Sequence, residues 1–371
     1  MHRTDELTTM MNKALGLAAQ ALFVSNPNPR VGCVLIAPDG REIGSGHTQQ
    51  AGGPHAEVMA LRSAQEAGHS TQGATAYVTL EPCAHQGRTG PCCDALVAAG
   101  IGKVVASLTD PNPLVAGQGF ARLRAAGVTV EVGPGAAESR ELNIGFFSRM
   151  VRGIPWVRMK AATSLDGATA LPNGTSQWIT SSTARADGHA WRARACAVLT
   201  GIGTVLDDNP RLDVRDVPTP RQPHVVVVDS QLQTPPDARL FLAGRACYIY
   251  AAIQNDEKKA ALEASGATVI CLPNAQGKVD LAAMLRDLAA RGANELHVEA
   301  GHKLNGSLLR EGLVDEMLIY MAPMLLGPGL GLAQVGPFEA LSQGLKLAFR
   351  SVEQLGPDLR IVARVPGRDT F

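Results

Sequence analysis

Four residues in the first quarter of the chain have the types and spacing of a catalytic zinc site. His55 and Glu57 lie two positions apart, and Cys83 and Cys92 follow with eight residues between them. One histidine and two cysteines are ligands that zinc prefers, and three protein ligands leave the fourth tetrahedral position open for water. An open position is typical of catalytic rather than structural zinc. The sequence therefore predicts a zinc enzyme.

The chemistry expected of this site is hydrolytic deamination. Zinc lowers the pKa of a bound water to about 7, and a carboxylate that is not a ligand, here Glu57, can carry the proton to a leaving amine. The common zinc-deaminase signature separates its cysteines by two residues, whereas the gap here holds eight. A structural zinc site and the absence of any metal are the alternatives. Cys33 and Cys93 are expected to pack rather than to bind metal.

The elements that must position these residues alternate between helices and strands. Apolar periodicity predicts helices over 5–22, 56–67, 92–99, 119–126 and 136–150, and strands over 31–36, 74–80, 103–107 and 128–132. His55 then lies at the start of a helix and Cys92 opens another, where the helix dipole favours a thiolate. This alternation indicates an α/β domain with a largely parallel or mixed sheet.

Gly153 and Pro155 mark the predicted boundary, so we expect one domain over 1–150 and a second over 151–371. The second domain has predicted strands at 156–161, 197–200, 224–229, 246–251, 267–271, 295–299, 316–323 and 360–365, with helices at 182–193, 281–291 and after 301. Its strand 295–299 ends in a glycine loop whose backbone amides, with Lys303, can hold a phosphate. An ordinary strand-to-helix turn is the alternative. Gly201 and Gly203 alone do not make a dinucleotide fingerprint.

Composition limits the partners and the location. Basic and acidic residues number 34 each, so no net positive field exists to hold a nucleic acid. No run approaches the roughly 18 apolar residues of a membrane helix, and the polar N-terminus does not resemble a signal peptide. Seven cysteines, an odd number, suggest reduced thiols. We expect a cytoplasmic protein that binds neither nucleic acid nor membrane.

A series of motifs resembles one known family over nearly the whole chain. In the first half these are Asn26–Gly32, Gly46–His47, His55–Glu57, Thr79–Cys83, His85–Cys93 and Asp110–Pro113; in the second half they are Lys160–Gly167, Ser176–Thr180, Thr200–Pro210 and Glu299–Gly301. Together they resemble the bifunctional riboflavin-biosynthesis deaminase/reductase family. The resemblance implies a cytidine-deaminase-like three-layer α/β/α domain followed by a dihydrofolate-reductase-like α/β domain.

The resemblance also implies activities, cofactors and partners. The first domain would be a hydrolase that deaminates 2,5-diamino-6-ribosylamino-4(3H)-pyrimidinone 5′-phosphate. The second would be an oxidoreductase that reduces the ribosyl group to ribityl. One zinc per chain and NADPH are the implied cofactors, the substrate is a small pyrimidine ribosyl phosphate, and a homo-oligomer is expected.

Site residues follow from the same resemblance. It makes His55, Cys83 and Cys92 the zinc ligands and Glu57 the proton carrier. The substrate of the deaminase would contact Asn26, His47, His85 and Arg88. The implied NADPH contacts are Ala162, Trp178, Thr204, Asp208, Ser230, Gly301, His302, Lys303, Leu304, Asn305, Gly306 and Ser307. The substrate of the reductase would contact Lys160, Ser176, Arg192, Leu212, Arg215 and Glu299, and guanidinium groups suit its phosphate.

Two other interpretations of the sequence compete with this one. The first is a deaminase of another base joined to an unrelated C-terminal domain. The second is that the C-terminal half is a non-catalytic nucleotide-binding or dimerisation module. Oxidation of NADPH in the presence of the deaminated substrate distinguishes the reductase from such a module.

Overall fold

The computed structural model describes residues 2–84, 90–113 and 115–371 and separates the chain into two units. We call Met1–Arg152 the N-terminal unit and Gly153–Phe371 the C-terminal unit. Within the part of the chain that the structure describes, no helix has both the length and the apolar character needed to cross a membrane.

The N-terminal unit is built on a five-stranded mixed sheet. In chain order its elements are α1 (His2–Gln20), β1 (Gly32–Ile36), β2 (Glu42–His47), α2 (Ala56–Glu66), β3 (Thr75–Val78), α3 (Cys92–Ala98), β4 (Lys103–Ala106), α4 (Gln118–Ala125), β5 (Thr129–Val132), α5 (Ala136–Leu142) and α6 (Ile144–Arg152). The strand order is β2-β1-β3-β4-β5. Strand β1 is antiparallel to β2 and β3, whereas β3, β4 and β5 are parallel.

Helices cover both faces of this sheet. Met11 of α1 packs with Val34 of β1 and Val105 of β4 on one face. On the other face α2 lies directly on β2, where a Cβ on Gly44 would stand 2.3 Å from the carbonyl oxygen of Ala60. Only glycine permits this approach. The close contact fixes the position of α2, the helix that begins next to His55.

The C-terminal unit is built on a nine-stranded sheet. Its elements are β6 (Trp156–Ser164), β7 (Ala168–Ala170), α7 (Ser182–Arg194), β8 (Ala197–Gly201), α8 (Ile202–Asp208), β9 (His224–Val228), β10 (Cys247–Ala251), α9 (Asp256–Ala264), β11 (Ala267–Cys271), α10 (Leu281–Ala290), β12 (Glu295–Val298), α11 (His302–Arg310), β13 (Glu316–Ala322), β14 (Leu330–Gly331), a 3-10 helix (Leu341–Gln343), β15 (Ala348–Leu355) and β16 (Asp358–Arg364). The order is β11-β10-β9-β8-β12-β6-β13-β16-β15, with β14 and β7 forming a separate pair. Each neighbouring pair from β11 to β13 in this order is parallel. Strand β16 is antiparallel to both of its neighbours, β13 and β15.

Two hydrophobic clusters cover opposite faces of this sheet. Leu199 of β8 packs in the cluster that holds Leu308 of α11, whereas the adjacent Val198 packs in the cluster that holds Val205 of α8. Successive residues of a strand point to opposite faces, so α8 and α11 lie on opposite sides. The chain leaves β8 towards β9 and leaves the neighbouring β12 towards β13, in opposite directions along the sheet. The carboxyl ends of β8 and β12 therefore form a topological switch point, where open α/β sheets bind their ligands.

Candidate active sites

Three side chains of the N-terminal unit form a cluster that fits a zinc ion. The ligand atoms of His55, Cys83 and Cys92 all lie within 4.8 Å of one another. The Nδ1 atom of His55 is 3.3 Å from Sγ of Cys92 and 3.6 Å from Sγ of Cys83. Zinc bond lengths at tetrahedral angles place a nitrogen and a sulfur ligand about 3.6 Å apart. The donor types and their separations thus both suit zinc.

Each ligand occupies the end of an element. His55 is the N-cap residue of α2, Cys83 lies in the segment after β3, and Cys92 is the first residue of α3. The backbone N–H of Cys92 donates to Sγ of Cys83 at 3.3 Å. This bond and the dipole of α3 both favour negative charge on the sulfur atoms.

The two thiols differ in acidity. The hydrogen bond with Cys92 is the largest cause that lowers the pKa of Cys83, to about 4, and His55 lowers it further, while burial opposes both. The hydrogen bond between the two side chains, together with burial, raises the pKa of Cys92 because the Cys92 thiol is its donor. A coordinated zinc ion would deprotonate both, since thiols that bind a metal lose their protons.

Glu57 lies in the first turn of α2 and is buried, with 4% of its surface exposed. Burial raises the pKa of its carboxyl to about 7, and the charge of Cys83 adds to this effect. His55 and a hydrogen bond with Cys92 oppose the rise. A carboxyl with such a pKa can take up and release a proton near neutral pH.

Other predicted residues lie at the same edge of the sheet. Gly32 of β1 pairs with His47 of β2, and Cys33 pairs with Val78, the last residue of β3. The end of β2, the start of β1 and the segment after β3 therefore meet. Asn26 precedes β1, and both Asn26 and His47 are partly exposed. Burial lowers the pKa of His47. His85 and Arg88 lie outside the described residues.

The predicted phosphate loop of the C-terminal unit lies at the switch point. Gly301 is the N-cap of α11 and has extended backbone angles with no side-chain cap. The amides of the first turn therefore remain available to an anion. A Cβ on Gly301 would stand 4.0 Å from Oγ1 of Thr204, and a Cβ on Gly201 would stand 3.2 Å from Leu304. Thr204 of α8 is thus beside this helix start.

The later residues of α11 have structural contacts. The amide of Asn305 donates to the carbonyl oxygen of Leu332 at 3.0 Å. A Cβ on Gly306 would lie 2.2 Å from the carbonyl oxygen of Gln334. Leu304 packs against the core, and Ser307 Oγ donates to the Lys303 carbonyl. A cofactor contact by these four residues stays a prediction.

Charged side chains meet next to the end of β12. Arg192 of α7 donates two hydrogen bonds to the carboxylate of Glu299 and one, at 2.9 Å, to the carbonyl oxygen of Asp213. Burial opposes ionisation of Glu299, but Arg192, His297 and Lys160 hold its pKa well below the usual range. Burial lowers the pKa of Lys160 in turn. An ionised carboxylate thus orients a guanidinium here.

Asp213 is a residue that our sequence analysis missed. Its buried carboxylate accepts from Arg211 at 2.9 Å and also pairs with Arg215. The backbone N–H of Arg215 donates to Nδ1 of His189 at 3.2 Å. The signal available in the sequence was the alternation of Arg211, Asp213 and Arg215, in which an arginine stands two positions away on each side of the aspartate.

The remaining predicted residues lie in varied settings. The side chain of Leu212 is buried in a hydrophobic cluster with φ at +51°, so only its backbone can face a ligand. Trp178 is 67% exposed, with the guanidinium of Arg185 at 4.5 Å from its ring centre. The others are partly or fully exposed: Ser176 in the segment before α7, Ala162 in β6, Asp208 at the end of α8 and Ser230 after β9.

Comparisons with known families cover both units. The model of the cytidine and deoxycytidylate deaminase zinc-binding region matches residues 4–108, and the model of the RibD C-terminal domain matches residues 155–361. Riboflavin biosynthesis protein RibD from Escherichia coli K12 is 44% identical over 94% of this chain and 96% of its own length. RibD from Aquifex aeolicus is 40% identical over 95% of this chain and 96% of its own length.

Solved structures agree with these matches. RibD from Acinetobacter baumannii, form 1, superposes with a TM-score of 0.89 at 40% identity and covers 97% of this chain and 99% of its own. A diaminohydroxyphosphoribosylaminopyrimidine deaminase/5-amino-6-(5-phosphoribosylamino)uracil reductase from Thermotoga maritima has a TM-score of 0.85 at 31% identity, covering 98% and 100%. The predicted deaminase-like and reductase-like α/β folds are confirmed. The chain belongs to the RibD family of bifunctional riboflavin-biosynthesis enzymes, in which a zinc-dependent deaminase and an NADPH-dependent reductase share one polypeptide.

Proposed function

We propose that residues 1–150 carry the zinc-dependent deaminase and residues 151–371 the NADPH-dependent reductase, with the residues named above as their sites. The first substrate is 2,5-diamino-6-ribosylamino-4(3H)-pyrimidinone 5′-phosphate, and the second step reduces the ribosyl group of the product to ribityl. The name of the Thermotoga maritima relative supports this pair of reactions. The observation that carries the proposal is the cluster of His55, Cys83 and Cys92 beside the buried carboxyl of Glu57.

In the deamination, water replaces an amino group of the pyrimidine ring and ammonia leaves. His55, Cys83 and Cys92 would hold the zinc ion, which when bound would lower the pKa of a water molecule to about 7. Glu57 accepts a proton from the attacking water and delivers it to the departing amine, so the carboxylate is regenerated. Asn26 and His47 hold the substrate from the adjacent strand ends, and His85 and Arg88 act with them.

In the reduction, the bond between the nitrogen-bearing ribosyl carbon and the ring oxygen breaks. That carbon gains a hydride and the ring oxygen gains a proton, which leaves an open-chain ribityl group. NADPH supplies the hydride. The amides at the start of α11 hold a cofactor phosphate beside Thr204 of α8, and Ser230, which follows β9, also contacts the cofactor. The other cofactor contacts are Ala162, Trp178, Asp208 and the remaining residues of 301–307. Arg192, Arg215 and Lys160 hold the sugar phosphate with Ser176 and Leu212, and Glu299 orients Arg192.

Two measurements on the purified protein test this function. Elemental analysis after purification without chelator should find about one zinc per chain, because the site has three ligands and one open position. Given the diamino substrate and NADPH, the protein should release ammonia and then consume NADPH. Absence of zinc together with no gain of activity on adding it would reject the deaminase site. Deamination without any NADPH consumption would reject the reductase.

We further propose that the protein forms a homo-oligomer through the edge strand β15. Phe349 is 74% exposed on this strand, and Val352, Leu341 and Leu345 nearby are also exposed. Exposed apolar side chains and an unpaired strand edge both favour association with a second copy. Sedimentation equilibrium should show a dimer or larger assembly that Phe349→Glu dissociates. A monomeric wild type would contradict this.

We also propose a cytoplasmic location. None of the seven cysteines forms a disulfide, which suits a reducing compartment. Cell fractionation should recover both activities in the cytoplasmic fraction, and recovery in a secreted fraction would contradict the proposal.

A further inference from the structure

The carboxylate of Glu81 is buried among backbone amides of a distant segment. Glu81 stands two residues before Cys83 and is 3% exposed. Each carboxylate oxygen accepts two backbone N–H bonds: Oε2 from Asp110 at 3.1 Å and Gly117 at 2.9 Å, and Oε1 from Gly119 at 2.8 Å and Phe120 at 3.2 Å. One side chain thus holds the backbone at Asp110, Gly117, Gly119 and Phe120.

These bonds cap helix α4. Its N-cap residue, Gly117, has a left-handed backbone and provides no side-chain cap. Gly119 and Phe120 lie in the first turn, where free amides and the helix dipole favour a negative charge. The Glu81 carboxylate therefore replaces the missing cap, and α4 is oriented by a residue of the zinc-ligand segment.

Helix α4 in turn contacts both cysteine-bearing segments. A Cβ on Gly119 would lie 2.0 Å from the carbonyl oxygen of Pro82, so α4 starts directly against the residue before Cys83. Arg122 of α4 donates to the carbonyl oxygen of Ala84 at 3.1 Å and pairs with Asp94 of α3 at 2.7 Å. Helix α4 therefore contacts the residues on both sides of Cys83 and the helix that begins with Cys92.

A further contact joins the two ligand segments. The thiol of Cys93, which follows Cys92, donates to the carbonyl oxygen of Pro82 at 3.1 Å. Displacement of Pro82 would therefore move both cysteine segments.

We propose that Glu81 is a positioning residue of the zinc centre: its carboxylate anchors α4, and α4 holds Cys83 and Cys92 at metal-binding separations. The proposal rests on the proposed ligand set. It assigns no contact with substrate to Glu81.

The test is zinc affinity, measured by competition with a chromophoric chelator, in Glu81→Gln and Glu81→Asp. Both oxygens of Glu81 accept hydrogen bonds from backbone N–H groups. In either orientation of a glutamine side chain, its NH2 group would therefore face N–H donors instead of an acceptor. Residues that support metal ligands usually contribute about tenfold to a hundredfold to metal affinity, and we expect a loss in that range for Glu81→Gln. Glu81→Asp keeps the charge but is shorter, and a smaller loss is expected.

The matched control is Asn143→Asp, an isosteric exchange of amide and carboxyl at another buried side chain of the same unit. The Asn143 side chain accepts from the backbone N–H of Arg30 at 2.7 Å and donates to its carbonyl oxygen at 2.9 Å. This variant should lower the melting temperature and leave zinc affinity unchanged.

Two results would overturn the proposal. One is wild-type zinc affinity in the folded Glu81 variants. The other is an equal loss of affinity in Asn143→Asp at the same melting temperature. Cys83→Ser tests the ligand set separately: if it binds zinc as the wild type does, the ligand assignment fails, and the proposal fails with it.

Discussion

Glu57, which is buried, and Glu299, which is partly buried, illustrate how surroundings determine the role of a carboxyl group. Burial and the charge of Cys83 raise the pKa of Glu57 to about 7. Arg192 instead keeps Glu299 ionised despite its burial. The first carboxyl can therefore exchange protons near neutral pH, whereas the second acts as a fixed negative charge. In the proposed mechanism the same residue type thus serves proton transfer in one unit and orientation in the other.

Replacement of Glu57 by glutamine removes the proton carrier and keeps the shape of the side chain. We expect deamination to slow by about a hundredfold to ten-thousandfold, the usual contribution of a positioned proton carrier. Zinc content should not change, because Glu57 is not a ligand. Ammonia release and elemental analysis on the same sample measure both. Activity near that of the wild type would assign the proton transfer to another group.

At the scale of elements, both proposed sites lie where strands end. In the N-terminal unit the end of β2, the start of β1 and the segment after β3 meet beside the start of α2. In the C-terminal unit β8 ends in Gly201, which precedes α8, and the adjacent β12 is followed, after two residues, by Gly301, which precedes α11. Backbone amides at such ends are free, so they can bind anions or stabilise thiolates.

Two glycines of the segment around α11 have different roles and predict different effects of alanine. At Gly306 a Cβ would lie 2.2 Å from a backbone oxygen. That steric cost, about 1–3 kcal/mol, should exceed the gain of about 1 kcal/mol from helix propensity, so Gly306→Ala lowers stability. At Gly301 a Cβ would contact no protein atom closer than Oγ1 of Thr204, at 4.0 Å.

Gly301→Ala should instead raise the KM for NADPH by about tenfold to a hundredfold, comparable to losing one hydrogen bond to a charged phosphate. Chemical denaturation of both variants measures the loss of stability, and NADPH kinetics of Gly301→Ala measure the loss of cofactor binding. An unchanged KM in Gly301→Ala would place the phosphate elsewhere.

The helices and strands found from the sequence are those with strong apolar periodicity. Strand β2 was missed because Gly44 and Gly46 interrupt its pattern, although they are what allows α2 to approach. The helix predicted over 136–150 divides at Asn143, whose side chain binds the backbone of Arg30, 113 positions away. Strand β15 was missed because it is exposed on both faces.

The same limit applies to the sites. His55, Cys83 and Cys92 could be found because their residue types carry metal chemistry. Glu81 could not, because its role depends on donors that tertiary structure brings to it. Asp213 was missed although its partners, Arg211 and Arg215, stand two positions away on either side in the sequence. A carboxylate that binds distant backbone amides leaves no local pattern in the sequence.

At the scale of the whole molecule, each unit has its own sheet and its own buried residues. Met11, Val34 and Val105 pack within the N-terminal unit, and the clusters around Leu199 and Val198 pack within the C-terminal unit. Each has more than enough residues for an independent core. The proposed reactions are consecutive, so the product of one unit is the substrate of the other.

We predict that the two units are separable catalysts. Cutting the chain between Arg152 and Gly153 should leave two proteins that fold, because no proposed site residue lies at the junction and each unit has its own core. In the full chain, Glu57→Gln should stop conversion of the diamino substrate but leave NADPH-dependent reduction of the supplied aminouracil ribosyl phosphate intact. Arg192→Ala should stop reduction and let the deaminated intermediate accumulate, because the lost guanidinium fork belongs to the second site. Chromatography of the intermediate beside NADPH absorbance measures each step. If either substitution abolishes both steps in folded protein, the two sites depend on each other, and the prediction of separable catalysts is wrong.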